Sequence, residues 1–379
     1  MTRRRTDHRA PLQTAGLIVR NMTKCHIAYL VCTAAVLGAG LGAAPPVAGH
    51  TIHVVRPGES IQKAVDAAES GDTVLVAPGT FHESVKVTTP GLTLRGMGRR
   101  TVIEPAEKKA VGTKKAANSC AEGGNGICVV GTKDRKVEGV TVASLTVTGF
   151  TANGVFATAT DGLTVRNVRA VKNGVWGIAQ EESVRGVFRR NTARDNGDAG
   201  LFLANSVKAE EGATDTRGTV VAGNRLEGNR IGVTVRRLRN LSVEHNRLTG
   251  NCAAIFVVGD ENKPKAGDLA VRDNRIARNN KLCPKTARLP FLQGSGIVLT
   301  GAEETLVTGN VITDNVGTSP LSGGIVLFKS FVGGTSERNR ISDNVLQGNA
   351  PADLVNADTG KGNTFEGNTC KASKPAGLC

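Results

Sequence analysis

The chain has 379 residues, with 48 Lys and Arg against 33 Asp and Glu, a formal net charge of +15 and only 3% aromatic residues. That excess of base makes polyanions reasonable partners, namely acidic polysaccharide, wall polymer or nucleic acid. A single Trp and a single Tyr give little material for a base-stacking surface, so nucleic acid is not an expected partner.

The first 49 residues read as export machinery. Residues 27–44, IAYLVCTAAVLGAGLGAA, form an apolar run after Lys24, followed by the small, Pro-containing stretch Pro45–Gly49. This is the pattern of a secretory signal with cleavage near 44–49. Met1 and Met22 are both candidate starts, since Met22–His26 makes a compact basic lead. A retained membrane anchor is the alternative; the high Gly and Ala content and the lack of a second span argue against stable membrane insertion. Residues 1–49 hold six Lys or Arg and one Asp, so the remainder has 42 bases against 32 acids, a net +10. Residues 50–379 are then expected to form one extracellular domain: a cap over 50–98, coils over 99–368 and a tail over 369–379.

In the cap, Ile61, Ala64, Val65 and Ala68 fall at helical spacing after Pro57-Gly58 and a candidate Ser60 N-cap, and Gly71-Asp72 ends the helix. Thr73–Ala77 reads as a strand closed by Pro78-Gly79, with Val85–Val87 and Leu92–Leu94 continuing as the first coil. Residues 104–125 break the pattern with charge and Gly and read as an exposed loop.

From there a six-residue pattern recurs: Asn, any residue, an aliphatic, two more, then Asn. It appears at Asn224–Asn229, Asn246–Asn251, Asn274–Asn279, Asn310–Asn315 and Asn339–Asn344, and more loosely at Asn191–Asn196 and Asn363–Asn368. Short alternating strings such as Gly232–Arg236 and Asn240–Glu244 lie between the copies and read as strands with one buried face. A period of 20–24 residues with several short strands in each is the signature of a β-solenoid. Asn is expected to serve twice, taking the left-handed conformation at each bend and stacking its amide along the coil axis.

The stretch IQKAVDAAESGDTVLVAPGTFHESVKV, together with these repeats, resembles the pectate-lyase-like superfamily of right-handed parallel β-helix repeat proteins, over roughly residues 51–368. The resemblance implies an all-β, right-handed parallel β-helix (a solenoid) with a short N-terminal capping helix. It implies little about chemistry, because the fold carries many activities and some proteins with none.

Six cysteines remain beyond the signal, an even number suited to an oxidising compartment. Cys252 and Cys283 follow equivalent corner asparagines on adjacent turns and are expected to pair, which leaves Cys120 with Cys128 and Cys370 with Cys379 as local pairs. Metal binding is the alternative for these thiols, and with no His near them no metal site is expected.

Extra residues over the bare period sit at 206–216, 259–267, 280–294, 317–322 and 329–337. All flank one strand class, which opens with a Gly-aliphatic pair, so loops at both edges would make its outer face a groove. If the residue after Gly points inward, Phe156, Phe202, Thr234, Phe256 and Phe328 face outward. Two readings stay open: a stacking platform for sugar rings or a protein contact, or a face buried by the inserted loops. A one-residue phase error would reverse either.

Lyases of the superfamily use carboxylates to hold Ca²⁺ and an Arg or Lys as base, and its hydrolases use clustered Asp. This chain has no Asp-Asp pair and no Gly-His-Gly. The candidate catalytic residues are Arg236, Arg237, Glu181 and Asp260, with Glu181 and Arg236 two turns apart; surface salt-bridge decoration explains the same residues. Three functions compete. The first is carbohydrate binding in the groove by a secreted monomer, without cofactor. The second is a polysaccharide lyase or uronate epimerase, with Ca²⁺ if a lyase. The third is an accessory role like that of β-helix proteins in copper-enzyme maturation, weakened by the lack of a Cys/Met/His cluster.

Overall fold

A computed structural model describes residues 49–106, 118–207 and 211–379, which puts the expected signal segment, the choice of start and residues 107–117 of the charged loop outside the described residues. The strands form three stacked parallel sheets. Sheet 1 runs from Ile52–Val55 to Thr364–Glu366, sheet 2 from Gly79–His82 to Val345–Gln347, and sheet 3 from Val85–Val87 to Ser373–Lys374. Each coil visits the sheets in that order and hydrogen-bonds to the next coil, giving the right-handed parallel β-helix that the repeats predict.

Inside, each three-residue strand of sheet 2 turns one side chain inward, so that Ala170, Ala193, Leu226, Leu248, Ile276, Ile312 and Leu346 stack in file. At the N-terminal end the helix Ile61–Ala67 buries Ile61 and Val65 in the same inner core, against the first strands of sheets 1 and 3. Ser60 caps it as expected, and a residue from the first coil completes the cap: the Glu83 carboxylate accepts from Ile61 N at 2.7 Å, Gln62 N at 3.1 Å and Ser60 Oγ at 3.0 Å.

The asparagines form two axial ladders. In one, Asn191, Asn224, Asn246, Asn274, Asn310, Asn344 and Asn368 stack at the corner between sheets 1 and 2. In the other, Asn173, Asn196, Asn229, Asn251, Asn279, Asn315 and Asn349 stack between sheets 2 and 3, ending on Asp353. A typical rung is fully satisfied. Asn246 Oδ1 accepts from Asn224 N and Nδ2, both at 2.9 Å, while Asn246 Nδ2 donates to Asn274 Oδ1 at 3.0 Å and Val221 O at 2.9 Å. Buried amides are stable only with all such partners supplied.

Two expectations are corrected. The left-handed residue is the one before each Asn, not the Asn: Arg190, Asp195, His245, Asp273, Arg278, Asp314 and Asp343 all have φ between 51° and 57°. A side chain inside the ladder must leave an ordinary backbone, so the bend moves one place earlier. The last two copies of the pattern are also one corner out of phase. Asn339–Asn344 and Asn363–Asn368 bracket strands of sheet 1, Arg340–Ser342 and Thr364–Glu366, and the rung after Asn315 is Asn349. There the sheet 1 strand is as short as that of sheet 2, so both faces write the same six letters. The true rung intervals are 23, 33, 22, 28, 36 and 34 residues, and a bare coil takes 22–23.

Candidate functional site

The five insertions flank sheet 3 as expected, entering or leaving its strands. The opening glycines have a geometric cause. A Cβ on Gly200 would stand 2.8 Å from Gly232 O and 2.9 Å from Asn229 Nδ2, at the corner where the next coil and the ladder converge. The following residues, Val155, Leu201, Val233, Ile255, Ile297 and Ile325, all lie in the inner core, so the alternation has the expected phase.

The outer face of sheet 3 carries a second apolar cluster, and this corrects the exposed-platform reading at its centre. Phe256 is 1% exposed, Phe202 7% and Thr234 6%, so none of the three presents a free face to a ligand. Leu292, Leu321 and Cys283 from the inserted loops pack over them, and Trp176 stacks on Phe202 with ring centroids 4.0 Å apart. Phe156 and Phe328 remain half-buried at the margins. The physical reason is that a parallel sheet rich in outward aliphatic and aromatic groups is stable only when both faces are covered.

The cover is pinned. Cys252 pairs with Cys283 (Cα–Cα 6.0 Å), and Arg230 Nη1 donates to Pro284 O at 2.7 Å. The pairing is the expected one, but Cys283 sits in the excursion 280–294 rather than on the neighbouring coil: Ala253 is in register with Ser295. The local pairs Cys120–Cys128 and Cys370–Cys379 also form.

A second outward row stays partly open. Thr158, Glu181, Ala204, Arg236, Val258, Thr300 and Phe328 align strand by strand, between loops that enter sheet 3 and loops that leave it. Glu181 and Arg236 stand two strands apart, roughly 10 Å, with Ala204 between them. Arg236 Nη1 donates to Ser206 O at 3.0 Å. Burial lowers the pKa of its guanidinium, the charges of Arg237 and Arg288 lower it further, and Asp260 and Glu181 act in the opposite sense.

The remaining two catalytic candidates are not on this row. Arg237 takes a left-handed backbone (φ 51°) at the strand end and turns its side chain onto Asp260 in a buried ion pair. Removing either partner would strand a buried charge, so the pair is assigned to holding the 259–267 loop and not to substrate. Sequence reasoning missed Arg288, because its approach to Arg236 depends on where the 280–294 loop returns. It also missed Trp176, whose Nε1 donates to Asp198 at 3.1 Å. Among the described residues no group of three or more His, Cys, Asp or Glu is placed to hold a metal ion. With Asp260 committed to Arg237, the row does not supply the clustered carboxylates that Ca²⁺ would need.

Residues 117–270 match the family model described as right handed beta helix region, and residues 212–377 match that of the periplasmic copper-binding protein NosD. No curated protein matches. Among solved structures the chain is similar to the mannuronan C-5 epimerase AlgE6 A-module of Azotobacter vinelandii (19% identity, 82% of this chain and 90% of that one, TM-score 0.50). It is similar to the AlgE4 A-module of the same organism (20%, 82% and 92%, TM-score 0.50). It is also similar to DFA-IIIase from Arthrobacter chlorophenolicus A6 (13%, 82% and 81%, TM-score 0.52). At these identities the likeness is one of fold.

Proposed function

We propose, on the premise that the chain is a right-handed parallel β-helix protein, that it binds an acidic polysaccharide along the second outward row of sheet 3, without turnover. The observation that carries this reading is Arg236. It is a half-buried guanidinium in the middle of the row, fixed by the Ser206 carbonyl and flanked by Arg237 and Arg288. A carboxylate of a passing sugar would relieve that crowding of positive charge and accept charge-assisted hydrogen bonds. Phe156 and Phe328, at the margins of the cluster, are the remaining candidates for contact with sugar rings. That the two epimerases named above act on mannuronan, a uronate polymer, is consistent with such a ligand.

Three disulfides, and no helix among the described residues long and apolar enough to cross a membrane, are compatible with work outside the cytoplasm. The second reading, a lyase or uronate epimerase in the same row, is favoured by the depressed proton affinity of Arg236. It is disfavoured by the loss of Asp260 to the ion pair.

Affinity electrophoresis against polygalacturonate, alginate and neutral dextran tests the proposal. Arg236→Ala should weaken binding to the acidic polymers by about tenfold or more, the worth of one charge-assisted hydrogen bond, with the β-helix retained in circular dichroism. Equal binding by both proteins would sink the reading. Unsaturated products lost in Arg236→Ala would replace binding with lyase action, and NMR of the recovered polymer detects epimerisation.

A further inference from the structure

The residue after the first Asn of the repeat is Arg in three successive coils: Arg225, Arg247 and Arg275. They occupy one register position of sheet 2, each paired directly with the next. Strand spacing therefore sets their Cα atoms about 4.8 Å apart along the coil axis. All three are exposed. Arg225 is engaged by Glu227 at 2.6 Å, whereas Arg247, Arg275 and the corner residue Arg278 enter none of the ion pairs found among the described residues. They border a shallow depression of about 150 Å³ whose lining also includes Thr249, Ala277 and Val311. Val311 and Val345 continue the same file, 38% and 45% exposed.

Sheet 2 differs from sheet 3 in what surrounds it. The insertions flank sheet 3, while between Asn224 and Asn229, and between Asn246 and Asn251, sheet 2 is a bare three-residue strand with tight corners. Its outward residues Arg225, Arg247 and Arg275 are exposed among the described residues. Like charges in file repel one another, and a stack of arginines at strand spacing is relieved by a polymer that brings a negative charge at a comparable repeat.

We infer that this file is a second polyanion-binding surface, and that its occupant is an acidic polysaccharide lying along the coil axis over Arg247 and Arg275. A uronate chain suits this file because it offers one carboxylate per sugar and apolar C–H faces for Ala277, Val311 and Val345. Nucleic acid suits it less. None of the outward residues on these strands is aromatic, and single-stranded nucleic acid is held largely by base stacking. The inference stands on sheet 2 alone and does not depend on the row containing Arg236.

The test compares wild type, Arg236→Ala and the double variant Arg247→Ala/Arg275→Ala, titrated with polygalacturonate at several salt concentrations and with an oligodeoxynucleotide. Both double-variant positions are exposed, and an unchanged melting temperature confirms the fold. The double variant is expected to bind polygalacturonate about tenfold more weakly. The slope of log K against log salt should become shallower by roughly one for each arginine removed, as counterion release requires. Unchanged affinity and slope in the double variant would overturn the proposal, even if Arg236→Ala abolishes binding and so upholds the sheet 3 reading. The converse result, loss in the double variant with Arg236→Ala intact, upholds sheet 2 and removes sheet 3. Tighter binding of the oligonucleotide than of polygalacturonate, lost in the double variant, would assign the surface to nucleic acid and overturn it as well.

Discussion

At the residue scale two carboxylates are fastened by hydrogen bonds that depress their pKa, one through side chains and one through side chain and backbone together. Glu337 accepts from the Thr335 hydroxyl at 2.7 Å and from Lys265 Nζ at 2.9 Å, and these contacts hold its pKa at about 2. Asp72 is held at about 2 by the His53 side chain and by the backbone N–H groups of Thr51 and Glu69. Both values lie below the ordinary carboxylate range, so the unfolded chain takes up the proton first. The stability these groups contribute is complete above their ordinary pKa values near 4 and is lost as pH falls towards 2. Acid titration of the melting temperature should show this loss between about pH 4.5 and 2, with Glu337→Gln flattening part of the limb. An identical acid limb in the variant would remove Glu337 from the account. The asparagines were legible as a ladder because their spacing is regular. Their backbone was not: His245 and Gly250 hold the same left-handed conformation, and no letter announces that His is acting as a glycine.

At the element scale the decisive feature is the covered outer face of sheet 3. Alternation placed Phe202 and Phe256 outward, but outward on a sheet means solvent only where nothing lies above it. The loop 280–294 lies above it, tied by Cys252–Cys283 and stiffened by the mutual Cys283–Leu292 backbone hydrogen bonds at 2.9 and 3.0 Å. Phe256 therefore behaves as core. Phe256→Ala should cost about 3–5 kcal/mol, read from the shift of the denaturation midpoint at constant slope. A cost below 1 kcal/mol, as expected of an exposed side chain, would show the face open. The pairing of Cys252 with Cys283 is expected from a shared corner that Cys283 does not occupy, so the partners are right and the reason is not. The excursion that carries Cys283 over the sheet could not be anticipated, because a loop of that length has many return paths and burial selects one of them.

At the scale of the whole molecule the chain is a stack in which each coil rests on the next, so an uncovered end exposes the inner core. The helix Ile61–Ala67 closes one end, and Glu83 holds that helix through its first N–H groups. Glu83→Ala should cost about 1–2 kcal/mol, the usual worth of a helix cap. Hydrogen exchange should quicken first in Thr73–Val76, the strand that follows the helix, while the central coils keep their protection. Uniform acceleration along the chain would mean the stack opens as one body and not from its end. The stacked β-helix, its inward residues, its capping helix and its disulfide partners were all legible in the order of the amino acids. The strands and their inward residues recur from coil to coil, every 22–23 residues where no insertion intervenes, and the cap and the local cysteine pairs are set by neighbouring sequence. The closing of Arg237 on Asp260, the burial of Phe202 and Phe256 under loops, and the approach of Arg288 to Arg236 came from the folded chain. Each of these depends on where insertions of unequal length come back to the coil, and that is set by packing over a shared face, not by any local period.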